Sequence, residues 1–188
     1  MNYQVFQAIN TFAGRWAPID WIMRIAAVWL IFAVFAVASV VVVRALARHQ
    51  IRSVICLGIS LLLAFGLGQG LARLSHEQRP FQDHAVHQLI PHAPGVSMPS
   101  DHATAAFALA FGMLLLLNRR AGLALTAAAV LIGFARVWAG VHYPGDILAS
   151  AAIAGLSAFL VYVTDLGARD VQQRHASAGQ PRKPSGSG

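Results

Sequence analysis

Arg136-Val137-Trp138-Ala139-Gly140-Val141-His142-Tyr143-Pro144-Gly145-Asp146 joins two apolar runs, Ala121–Trp138 and Ile147–Val163, and decides how the chain is read. An arginine, a histidine and an aspartate gather where a membrane span ends. A charge at the bilayer centre costs roughly 2.5–3.5 kcal/mol on insertion scales, so each of these groups needs a partner or a task. Pro144 suits the first turn of a new helix. On that helix His142 and Asp146, four apart, share one side, and the carboxylate reaches the ring. A carboxylate on one ring nitrogen fixes the tautomer and makes the other nitrogen more basic, as a nucleophile or general base requires. Taken alone, the same residues are simply polar groups at a helix end. Two further clusters change that.

The 188 residues suffice for one domain. They are 57% hydrophobic and 11% charged, with a mean hydropathy of +0.60. That is too apolar for an ordinary soluble domain and predicts an all-α, polytopic membrane helix bundle. The net charge of +7 is spread between the apolar runs rather than gathered on one polar face, which argues against nucleic acid as a partner. Cys56 is the only cysteine and lies in an apolar run, so an internal disulfide and a thiolate metal site are excluded.

Along residues 1–20, Val5, Ile9, Phe12 and Trp16 recur at helical spacing, with Asn2, Gln7 and Asn10 on other faces. This predicts an amphipathic helix lying in the membrane interface. Five spans follow: Trp21–Val43, Ser53–Ala72, Ser100–Leu117, Ala121–Trp138 and Ile147–Val163. Gly66, Gly68 and Gly70 follow no strand, so close helix packing explains them better than a nucleotide loop. Arg44, Arg48, Arg52, Arg119, Arg120, Arg169, Arg174, Arg182 and Lys183 fall on one side of the membrane, and Arg15, Arg24, Arg73, Arg79 and Arg136 on the other. The positive-inside rule puts the first group in the cytoplasm. One membrane-embedded domain is predicted over residues 1–170, with a flexible cytoplasmic tail over 171–188. The longest loop, 73–99, and the His142 turn then share the outer face.

That placement brings three clusters together. Arg73 and Arg79 end the second span, and guanidinium forks suit phosphate oxygens. Ser100 is a favoured N-cap with Asp101 and His102 behind it, so a helix N-terminus and a proton donor adjoin. The third cluster is Arg136, His142 and Asp146. Phosphate-monoester hydrolysis needs accelerations of up to ~10²¹-fold. A nucleophile, an acid and several fixed positive charges are the parts that such a rate demands.

Arg79-Pro80, Pro99-Ser100-Asp101-His102 and Arg136-x5-His142-x3-Asp146 resemble the three signatures of the type 2 phosphatidic acid phosphatase superfamily. The R-x5-R-P-F form and Pro-Ser-Asp-His resemble its bacterial undecaprenyl diphosphate phosphatase branch, known for bacitracin resistance. The resemblance implies a lipid phosphatase of the bacterial plasma membrane, with its site on the periplasmic or extracellular side, that acts on a lipid phosphate or diphosphate. Undecaprenyl diphosphate is the implied substrate; phosphatidylglycerol phosphate and phosphatidate are alternatives. It implies that His142 attacks phosphorus and becomes a phosphohistidine, oriented by Asp146, while His102 protonates the leaving oxygen. Arg79, Arg136 and the Ser100 hydroxyl and amide are implied to hold the phosphoryl oxygens, with Arg73 and Asp101 completing the expected phosphate-binding set. No metal or cofactor is implied. The sequence departs from the family pattern in three places. Arg73 stands in, one residue displaced, for the family lysine; Asp101 replaces a glycine; and Ala135 replaces a serine. Two rival readings are a metal site on the histidines of the outer loop (His76, His84, His87, His92 and His102, with Asp83) and a small transporter. His84-x2-His87 lacks a second paired ligand motif, and the charges gather at one end of the bundle rather than along a path.

Overall fold

Among residues 2–178, which the computed structural model describes, the apolar runs form α1 (Asn2–Asn10), α2 (Ala17–Val28), α3 (Leu30–Ala47), α4 (Ile51–Leu74), α5 (Pro80–Asp83), α6 (Asp101–Gly112), α7 (Arg119–Trp138) and α8 (Pro144–Ala178). A π-helical turn, Met113–Leu117, extends α6. The Ala-rich α6 occupies the centre, packed by α4, α7 and α8, with Ala103, Ala106, Ala108 and Ala110 fully buried. Small side chains let helices approach closely where lipid removes the hydrophobic drive between them. At Gly122 a Cβ would lie 2.4 Å from the Leu114 backbone, so glycine is what lets α7 turn back against the end of α6. Gly133 does the same beneath the Ile147 side chain of α8.

The outside of the bundle is apolar: Phe32, Phe35, Leu62, Leu123, Leu156 and Phe159 are all exposed. Helices α3, α4, α7 and the Pro144–Asp170 part of α8 are long and apolar enough to cross a membrane, and Asp101–Leu117 is a shorter apolar helix beside them. The protein is therefore an all-α membrane bundle. At one end Asp165 pairs with Arg52 at 2.6 Å and Arg169 at 2.7 Å, and Arg44 and Arg48 border a hollow with Leu117 and Asn118. The histidine turn lies at the opposite end.

Several sequence expectations need correction. The span Trp21–Val43 is not continuous: it breaks at Trp29 into α2 and α3, which frees carbonyls of the last α2 turn. Of Gly66, Gly68 and Gly70, only Gly68 faces a neighbour, and there a Cβ would make an ordinary contact with Pro99 and Thr104; Gly66 and Gly70 face open space. The start of the expected tail is helical as far as Ala178, and residues 179–188 lie outside the described residues.

The amphipathic helix expected over residues 1–20 stops at Asn10, because Gly14 turns the chain at φ +80° and Pro18 opens α2. Phe6 and Asn10, rather than the expected stripe alone, are its buried residues, while Val5, Phe12 and Trp16 remain exposed. Phe6 packs edge-on against Tyr143. Asn10 accepts from the His87 N–H and donates to the carbonyls of His87 and Trp138, each at 2.9 Å. Asn2 accepts from Gly145 N at 2.9 Å and donates to Glu77 at 3.0 Å. Helix α1 thus clamps the long loop, the end of α7 and the start of α8 together.

Asn10→Ala leaves three backbone groups without a partner, a loss of about 1–3 kcal/mol for each buried group left unsatisfied. The thermal midpoint in detergent is expected to fall by several degrees, while Thr11→Ala, a half-buried neighbour with one exposed 3.4 Å contact, stays close to wild type. Equal midpoints for the two variants would contradict the clamp.

Candidate active site

Asp146 lies in the first turn of α8 and is fully buried. Its Oδ2 receives three groups: His142 Nδ1 at 3.1 Å, the Tyr143 N–H at 2.8 Å and the Ser97 hydroxyl at 2.5 Å. A carboxylate in so dry a place persists only when hydrogen bonds satisfy it. Because the carboxylate accepts, His142 Nδ1 carries the ring proton, and Nε2 presents its lone pair. Burial first, and then the charges of Arg136 and Arg79, hold the pKa of His142 well below the ordinary histidine range. His142 is therefore a neutral, oriented imidazole, which is the state a nucleophile needs.

Arg79 Nη1 lies 3.0 Å from His142 Nε2 and donates to its lone pair. Burial lowers the pKa of Arg79, and the charges of Asp101 and Asp146 act against that shift, so the guanidinium stays charged. Arg136, at the end of α7, is 3% exposed and donates to the carbonyl of Ala27, one of those freed by the break at Trp29. Arg79 Nε, Arg136 Nε and Ser100 Oγ are buried with no partner. Buried donors are almost always satisfied, so three orphans in one place suit an oxyanion.

Ser100 holds the N-cap position of α6 without a side-chain capping bond, and its amide donates to Ser150 Oγ at 3.1 Å. This corrects the expectation that amide and hydroxyl both serve the phosphate: only the hydroxyl is free. Ser150 also lies within hydrogen-bond reach of the carbonyls of Ser100 and Asp146, and so staples α6 to α8. His102 is half-buried in the first turn of α6, within electrostatic reach of Arg136, His92 and Arg79. Asp101 is exposed, and its charge favours the charged forms of Arg79 and His92. Arg73 is not drawn in; it lies exposed on the last turn of α4.

The long loop closes on itself through the Gln78–Val96 bridge and the bond from Ser97 N to Glu77 O, at 2.9 Å. Leu89 N donates to the carbonyl of Ala139 at 3.0 Å, tying the loop to the end of α7. These pairings carry Ser97 to Asp146 and His92 to His142. Burial, and then the Asp146 charge, raise the pKa of Glu77, which accepts from Asn2. The sequence clusters contain none of Ser97, His92, Ser150, Asn2 and Glu77 as functional residues, since only the folded loop brings them in. Among the described residues no three His, Cys, Asp or Glu side chains converge on a metal position. His84 stacks on Tyr3 at 3.8 Å, and the His87 ring lies against Gly14.

A buried, oriented imidazole beside two arginines and a helix N-terminus, at one end of an apolar bundle, defines an integral-membrane lipid phosphatase. The chain belongs to the PAP2 superfamily, whose model matches residues 53–169. It is 35% identical over 162 residues to undecaprenyl-diphosphatase BcrC of Bacillus subtilis, covering 86% of this chain and 83% of that one. A Bacillus licheniformis relative, bacitracin transport permease protein BcrC, is 28% identical over 165 residues, covering 87% and 80%. The crystal structure of Aquifex aeolicus LpxE shares the fold, with a TM-score of 0.70 over 85% of this chain and 93% of that one, at 24% identity.

Arg79 lowers the pKa of His142, so removing its charge must raise it. In Arg79→Gln His142 takes up its proton at higher pH, and the acid limb of kcat/KM is expected to move upward. The plateau should fall by about 10²–10³, as on losing one transition-state donor. A pH–rate profile of both proteins checks this; an unmoved or downward-shifted limb would contradict it.

Proposed function

We propose that the chain hydrolyses undecaprenyl diphosphate to the monophosphate and inorganic phosphate, at the outer leaflet of the bacterial plasma membrane. The observation that carries this reading is the neutral His142, with Nδ1 on Asp146 and Nε2 facing Arg79, among three buried donors that lack partners. The substrate follows the 35% identity to the Bacillus subtilis enzyme.

Arg79 first exchanges the His142 lone pair for a phosphoryl oxygen. His142 Nε2 then attacks the terminal phosphorus, a P–N bond forms, and the bond to the bridging oxygen breaks. The electron pair leaves on that oxygen, and His102 supplies the proton. Asp146 keeps its hydrogen bond to Nδ1–H and balances the charge that the ring acquires. Arg79, Arg136 and the Ser100 hydroxyl hold the equatorial oxygens. Water then attacks the phosphohistidine, His102 takes its proton, and phosphate departs. Arg73, exposed outside the cluster, contributes long-range attraction for an anionic head group. A groove of about 290 Å³, lined by Val137, Pro144, Ile147 and Leu148 among others, starts at the nucleophile turn and offers the lipid chain an apolar bed.

Transport, the function named for the Bacillus licheniformis relative, is the second reading. The buried ionisable groups favour hydrolysis, because they cluster at one end of the bundle rather than along a path through it.

Phosphate release is measured for purified protein on undecaprenyl diphosphate, phosphatidylglycerol phosphate and phosphatidate. The diphosphate is expected to be preferred and orthovanadate to inhibit. His142→Gln is expected to abolish turnover, and Ser100→Ala to weaken it by about 10²-fold. A fully active His142→Gln protein would end this reading. For orientation, an enzymatic tag at the C-terminus should stay unreachable from outside intact cells.

A further inference from the structure

His92 belongs to none of the three sequence clusters, yet its ring stands 6.0 Å from that of His142, edge to face. Its Nδ1 lies 3.1 Å from the carbonyl oxygen of Ala93. A carbonyl only accepts, so Nδ1 carries the proton and Nε2 is the ring's free nitrogen. The ring is half-buried, and the charges of Arg79, Arg136 and Asp101 act on it. It acts in turn on both His102 and His142. His92 therefore stands at the edge of the anion site, against the His142 ring and within electrostatic reach of the group assigned to the leaving oxygen.

The transferred phosphoryl group already has its partners in Arg79, Arg136 and Ser100. In a diphosphate the leaving oxygen bridges to a second phosphate, which must also lie beside His102. Few groups there are free to hold it. Arg73 is exposed outside the cluster, and the Asp101 carboxylate repels an anion. The Ser100 amide is taken by Ser150.

We propose that His92 binds the second phosphate of a diphosphate head group through Nε2 and so sets the preference for diphosphates over monophosphates. This role rests on the phosphatase activity proposed above. Burial, with the two arginines, keeps the free ring neutral. The arriving phosphate draws a proton from solvent onto Nε2, and Nε2–H donates to a non-bridging oxygen.

Farnesyl diphosphate and farnesyl monophosphate share one tail and differ only in the second phosphate. For wild type, H92A and H92Q, the ratio of kcat/KM on the diphosphate to that on the monophosphate is measured. H92A is expected to lower the ratio about 10-fold or more, as for a lost charge-assisted hydrogen bond, and H92Q less. A ratio unchanged in H92A, whether both activities fall together or neither falls, would overturn the proposal. Calorimetry adds a reading that needs no turnover: methylenediphosphonate should bind wild type more tightly than orthophosphate, and H92A should erase the difference. A difference that persists in H92A would sink the role of His92 alone. A wild-type protein that hydrolyses neither farnesyl compound and binds neither anion would take down the phosphatase reading with it.

Discussion

A carboxylate sealed at the end of a membrane bundle needs donors, and Asp146 gathers three on Oδ2 while its Oδ1 is buried without a partner. Each donor comes from a different constraint. Tyr143 N–H is supplied by the turn into α8, His142 by the four-residue spacing across that turn, and Ser97 by a loop closed through the Glu77–Ser97 pairing. One of those three bonds, from His142 Nδ1–H, also fixes the tautomer of the imidazole. Stability of the carboxylate and readiness of the nucleophile are thus one arrangement.

The rest of the bundle holds that arrangement in register. Ser150 ties the α6 N-terminus to the first turns of α8, and the break at Trp29 frees the Ala27 carbonyl that receives Arg136. Helix α1 closes the set from outside, with Asn2 on Gly145 and Asn10 on His87 and Trp138. The superfamily match begins at residue 53, so this clamp lies beyond it. In the resting site Arg79 occupies the His142 lone pair, so the proposed mechanism begins with an exchange of hydrogen bonds rather than with an open pocket.

What could be read from the residues alone was what depends on local spacing and on apolar length. His142 and Asp146 meet across the turn into α8, Ser100 stands at the N-cap position of the helix that carries His102, and the alternation of basic loops brings Arg79 and Arg136 to the same end as both histidines. The break in the first span was hidden because Trp29 and its neighbours are as apolar as an unbroken helix. Asn2 and Asn10 looked like the polar face of an interfacial helix, since their partners are more than seventy residues away. Ser97, Ser150 and His92 gain their places only through the long loop and the α6–α8 contact. The commitment of the Ser100 amide could not be foreseen without knowing where Ser150 falls.

The proposed mechanism requires that His142, held neutral by its surroundings and aimed by Asp146, takes the phosphoryl group covalently. The direct measurement is a brief reaction with substrate labelled on its terminal phosphate, stopped in alkaline denaturant and followed by peptide mass spectrometry. The account predicts one acid-labile, base-stable phosphoryl group on His142, lost on longer incubation as free phosphate appears. Turnover at full rate with no label on His142, or with the label on another residue, would contradict it.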